Sequence, residues 1–186
     1  MSDLKSEVNK YTWIIAILAA ILGLIGFFVP AVYFEIFRVE IYLWKWGYFY
    51  ASGYGQSNSG FMGSDSFNLP MEDFGGALAG SIVSLILTII AVAVLFITGF
   101  LARSDYNRWG RFWILAGALM IAAEIIWIGG MATIDFGSTE YYSLNYWDIF
   151  DVGAGIVLGV VAGSVAVLGG VIGELTREGG RSLEKG

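Results

Sequence analysis

Glu124 is the one ionisable residue deep inside any of the long apolar runs of this 186-residue chain. A charge is costly in apolar surroundings, so an isolated carboxyl there is a candidate proton or cation site. No Lys, Arg or His lies at similar depth in another run, and no ion pair within the apolar layer is expected. The carboxyl is instead expected to be neutral and hydrogen-bonded, with Ser84, Thr88 and Ser164 as candidate partners, because burial disfavours its charged form. One acid does not make a pathway. Ion-coupled transporters bring broken helices, repeats or several polar intramembrane groups, and the sequence displays none.

Other chemistry is sparse. Asp148 and Asp151, with Glu140 nearby, offer oxygen ligands for a hard cation but lack the glycine-bearing spacing of a calcium loop. With no cysteine and no histidine, disulfides, thiolate nucleophiles, iron–sulfur clusters, histidine-ligated haem and ordinary zinc or copper sites are excluded. The serines have no histidine partner, and the glycine-rich segments lack a phosphate-binding lysine. The residues point away from an enzyme and imply no cofactor and no bound metal.

Small residues recur at helical spacing. Gly155, Gly159 and Gly163 fall four apart, Gly169 and Gly173 repeat the interval, and Gly76, Gly80, Ser84 and Thr88 form a second series. Four residues is just over one helical turn, so each series makes a groove that admits a neighbouring backbone. Where lipid removes the hydrophobic force between helices, such close approach replaces it. These faces are expected to pack against other helices of the chain or against another subunit.

Between Phe37 and Leu43 apolar and polar residues alternate with a period of two, as in a strand. Trp44, Trp46, Tyr48 and Tyr50 then share a face, with Lys45 and Gly47 on the other. The change of phase predicts a bulge or bend between two strand segments. The rings are expected to order a small sheet, as its buried face or as interfacial anchors. Ser52 to Ser66, rich in Gly, Ser, Asn and Gln, reads as a loop, and Ser66 to Leu69 as a short return strand.

The elements that carry these residues follow from the apolar runs. A hydrocarbon core of ~30 Å takes about 20 helical residues to cross, and residues 11–34, 75–102, 112–134 and 152–173 are each long enough. Hydrophobic residues make up 57% of the chain and charged ones 14%, too little polar surface for a soluble fold of this size. The expected fold is all-α: one membrane domain, a four-transmembrane-helix bundle, with a small β-structured cap from the first outer loop, 35–73. Pro30 is placed in the last turns of the first helix, with Tyr33 and Phe34 at its outer edge. A second outer loop spans 135–151, a short turn 103–111, and a disordered tail 174–186. Eight of the ten basic residues lie in the termini and the short turn, whereas the two long loops carry only Arg38 and Lys45. By the positive-inside rule both termini face the cytoplasm. The first run is too long for a cleavable signal core and is expected to be retained. The acidic outer loops do not suit nucleic acid.

This layout, with Trp44, Trp46 and Gly47 in a long strand-bearing first loop, resembles the claudin and peripheral myelin protein tetraspan group. The resemblance covers topology. The leucine–tryptophan step and paired cysteines of that group's motif are absent, so no functional residue is carried over. It implies an outer sheet and contacts made through outer loops. The chain is therefore expected to be a non-enzymatic, multi-pass protein of the cell membrane, with the bilayer and other membrane subunits or itself as partners. It would act as an accessory or scaffolding subunit or as a homo-oligomer. A small transporter, channel or proton-coupled subunit using Glu124 is the alternative, followed by a membrane enzyme acting on lipid or quinone.

Overall fold

A computed structural model describes residues 2–36, 38–61, 75–103, 109–139 and 142–183. Its long helices are α1 (Ser2–Phe28), α2 (Gly75–Ala102), α3 (Gly110–Met131) and α5 (Ala154–Leu183). Each contains a stretch long and apolar enough to cross a membrane: Lys10–Phe28, Gly75–Ala102, Gly110–Met131 and Ala154–Thr176. Helix α1 ends before Pro30 because the residue preceding a proline is forced out of the helical region. Tyr33 and Phe34 therefore belong to a strand and not to the end of the helix. The expectation of a disordered tail is corrected as well, since α5 runs to Leu183. Thr176 Oγ1 donates to the carbonyls of Ile172 and Gly173, and Glu174 lies 3.5 Å from Arg111.

Between α1 and α2 the chain forms an antiparallel meander: β1 (Val32–Ile36), β2 (Val39–Leu43), β3 (Tyr48–Gly53) and β4 (Gln56–Phe61). The segment 52–61, read from composition as a loop, pairs through its polar residues in the β3–β4 hairpin, from Tyr48↔Phe61 to Gly53↔Gln56. That hairpin closes through Tyr54 (φ 51°) and Gly55 (φ 79°), the two positive φ angles of a tight primed turn. The return strand expected at Ser66 to Leu69 and the turn at 104–108 lie outside the described residues. The segment between α3 and α5 holds a hairpin, β5 (Asp135–Thr139) with β6 (Tyr142–Asn145), and a short helix, α4 (Tyr146–Ile149). It then adds β7 (Asp151–Val152) to the first sheet, giving the order β4-β3-β2-β1-β7.

The chain divides into two compact units, 1–24 with 88–121 and 159–186, and 25–87 with 122–158. In the first, segments of the four long helices pack around Ala16, Ala19, Ala20, Ala91, Leu95, Trp113, Ala116, Met120, Ala162 and Ala166. The alanines let the helices approach closely, and Trp113 Nε1 donates to Thr98 Oγ1 at 2.9 Å. In the second, one face of the sheet supplies Val32, Leu43 and Phe49 to a core with Ala77, Trp127, Met131, Ile134, Tyr146 and Ile156. Val32, Leu43 and Phe49 are cross-strand partners, so they form one row across three strands.

Candidate functional site

The site begins at the β2–β3 turn. Trp44 N–H donates to the Tyr48 carbonyl at 2.8 Å and Gly47 N–H to the Trp44 carbonyl at 2.9 Å, with Gly47 at φ 81°. This is a three-residue hairpin loop, Lys45-Trp46-Gly47, that ends in a left-handed residue. Glycine fits there because it has no Cβ to clash. Lys45 stands at the tip, and its Nζ lies 2.5 Å from Glu124 Oε1 on α3. The two side chains are only 2% and 1% exposed.

The expectation that Glu124 has no cationic partner is thus corrected: the cation comes from a strand turn and not from a helix. A lysine at the tip of a hairpin is ordinarily solvated, but here the hairpin carries it to the carboxylate. Neither Ser84 nor Ser164 takes the role expected of it. Ser164 donates to the Val160 carbonyl in its own helix, whereas the buried Ser84 hydroxyl has no partner among the described residues. Glu124 lies in the half of α3 nearer its C-terminal end. It precedes Met131, the last residue of α3, by seven positions, about 10 Å along the axis. Glu124 Oε2 and Trp127 Nε1, one turn further on, have no hydrogen-bond partner among the described residues.

The sequence signal for Lys45 lay in its parity. Odd-numbered positions Val39, Ile41, Leu43, Phe49 and Ala51 share one sheet face through their register, and Leu43 and Phe49 are buried in the core. Lys45 continues that set. The aromatic positions, read as a change of phase, instead line the opposite face, so the core-facing parity never changes and a turn separates the strands. Trp44, Trp46, Tyr48 and Phe61 form one ring cluster, with Trp46 and Tyr48 stacked at 5.1 Å. Tyr42 lies between Tyr33 and Tyr50, with ring centroids 5.1 and 6.3 Å away.

The small-residue faces are filled by the chain itself. A Cβ on Gly80 would lie 3.0 Å from Gly130 Cα, and one on Gly76 would strike Thr133. On α5, Gly155 meets the Val29 carbonyl at the end of α1, and Gly163 meets the Gly117 carbonyl. Gly159, Ser84 and Thr88 are buried. A seven-residue glycine spacing, absent from the four-residue series above, also pairs two helices. Gly110 and Gly117 on α3 face Gly170 and Gly163 on α5, two antiparallel contacts two turns apart. Such spacing in two runs is a legible sign of helix pairing, but only when the runs are compared with each other.

Among the described residues no three potential metal ligands converge. Asp148 and Asp151 are exposed, and Glu140 lies outside the described residues. On the aromatic face, Tyr33 donates to Glu35 Oε2 and Tyr42 to Glu40 Oε2. The Glu35 hydrogen bond pushes the Tyr33 phenol up to about 12, since ionisation would place two negative charges together. What the arrangement provides is a fastening, in which the one acid deep in a helix grips the tip of the sheet. Comparison with models of protein families and with curated proteins gives no match.

Proposed function

We propose that the chain is a non-enzymatic multi-pass protein of the cell membrane, an accessory or scaffolding subunit that holds a β-sheet outside the bilayer for contact with other membrane proteins or further copies of itself. The observation that carries this reading is the Lys45–Glu124 pair, which ties the hairpin tip to α3 inside an apolar core. A loop free to move presents no fixed surface; a sheet gripped at its tip does. The membrane setting is supported by apolar side chains exposed along all four long helices, such as Leu18, Ile86, Leu115 and Leu168. Water-soluble proteins rarely expose contiguous apolar faces of that extent. With eight basic residues in the termini and the 103–111 turn, both termini are assigned to the cytoplasm.

Because the glycine faces are filled within the chain, partner contact falls to the sheet's far end, where Glu35, Glu40, Ser52 and Ser57 share a face. This keeps the outer-loop role of the claudin and peripheral myelin protein group, which the layout resembles. The test is gentle extraction from native membranes, followed by mass analysis of the intact complex. A stable partner or defined oligomer, lost when Glu35→Lys and Glu40→Lys are combined, is the expected result. A lone monomer overturns the reading, and liposome flux that requires Glu124 would replace it with transport.

A further inference from the structure

On the face of the sheet turned away from the core, the strand register arranges side chains in rows. Nearest the Lys45 tip lie Trp44, Trp46 and the cross-strand pair Tyr48 and Phe61. The next row is Tyr33, Tyr42, Tyr50 and Ser59. The last, beside the Arg38 and Tyr54 turns, is Glu35, Glu40, Ser52 and Ser57. Within four strand positions, or roughly 13 Å, the face passes from indole and phenyl rings through phenols to carboxylates and hydroxyls. The same order of polarity runs from hydrocarbon through headgroups to water, with tryptophan and tyrosine enriched at the boundary.

One hydrogen bond and one exposed helix row fix where the ring row sits. Trp44 Nε1 donates at 2.8 Å to the carbonyl of Phe28, the last residue of α1, whose own carbonyls have no further turn to bond. Phe28 is 64% exposed, and Ile25 and Leu24 continue the exposed apolar row of α1 beneath it. The ring row is therefore continuous with a helix face assigned to lipid. Phe61 is itself 56% exposed.

We propose that Trp44, Trp46, Tyr48 and Phe61 form a membrane-interface anchor, seated in the headgroup layer of the outer leaflet. There they hold the sheet upright, with its acid and serine row in water. The inference rests on the membrane-spanning reading above, and the experiment separates the two. The chain has no cysteine, so single cysteines at positions 48, 61, 57 and 86 of the full chain can each carry a nitroxide without a background label. The labelled proteins are placed in phosphatidylcholine vesicles, and collision with oxygen is compared with collision with a water-soluble nickel chelate. Ile86, on the exposed face of α2, reports whether the helices meet lipid.

The expected result is that Y48C and F61C favour oxygen severalfold, as I86C does, while S57C favours the chelate. If Phe61→Cys matches Ser57→Cys while Ile86→Cys reads lipid, the anchor is refuted and the spanning reading stands. Shielding of Phe61→Cys from both probes also overturns it, because a protein surface then covers the patch. A chelate-favouring Ile86→Cys refutes both readings. Phe61 ends its strand and is half in the open, so F61C decides the matter alone if Y48C fails to fold.

Discussion

Breaking the Lys45–Glu124 pair from one side is expected to be far more damaging than removing both partners. At 2.5 Å and an effective dielectric constant of about 20, the attraction is roughly 6–7 kcal/mol. Burial costs several kcal/mol for each ion, so the pair as a whole is expected to contribute little net stability. A lone partner keeps its desolvation cost and loses the attraction. Lys45→Met, which preserves an unbranched side chain, strands the Glu124 carboxylate in an apolar core. Glu124→Leu strands the ammonium. Each is expected to cost about 3–5 kcal/mol, whereas the double variant, filling the space with apolar atoms, should lie near wild type or above it. The assay is a double-mutant cycle on equilibrium unfolding in mixed micelles, with proteolysis of the 39–53 hairpin as a local readout. Single variants that cost little and add without coupling would falsify the claim that this pair fastens the sheet.

Three further outcomes follow from local geometry. A side chain on Gly163 would lie 2.7 Å from Ile121 Cγ1 and 2.8 Å from the Gly117 carbonyl oxygen. Gly163→Leu should therefore cost about 1–3 kcal/mol or more, whereas Gly129→Ala, with nothing within 4 Å, should gain about 0.5–1 kcal/mol; equal melting temperatures for the two would contradict the packing described. Gly47→Ala forces a Cβ into a left-handed turn residue and should cost about 1 kcal/mol, read as faster exchange of the Tyr48 and Phe49 amides. In a phenol titration by ultraviolet absorbance, Tyr33 should ionise near pH 12 and fall towards its ordinary value near 10 when Glu35→Gln removes the acceptor. The raised value belongs to the folded state, so its contribution is complete below pH 10 and is lost as pH rises from about 10 to 12; an unshifted titration in the variant would count against the Tyr33–Glu35 contact.

The helices were legible because crossing length and apolar composition are properties of a continuous segment. The 75–102 run coincides with α2 to the residue. The end of α1 was misplaced because apolarity continues past Pro30 into β1, and strand and helix interiors share the same residue types. The alternation from Val39 to Leu43 revealed a strand, but not which of its faces meets the core. Of the two roles open to the large aromatic residues on the even positions, the core-facing one belongs instead to Leu43 and Phe49. Strand β4 was missed because Gln, Ser, Asn and Gly have weak strand preference, and its pairing with β3 supplies what the local sequence lacks.

By itself the sequence determined four apolar runs able to cross a membrane, a buried acid, the small residues where backbones can approach, and a chain without thiol or imidazole chemistry. These are matters of residue type and short-range period. Only the tertiary structure decided that Glu124 meets Lys45, 79 positions away, and that Gly110 and Gly117 face Gly170 and Gly163. It also decided that Trp44 and Trp46 lie on the sheet face opposite the core. Each depends on two segments meeting at a particular register, and register is set by packing between elements rather than within one. The buried acid gained its partner because a tight turn brought one lysine to a core that excludes other charges.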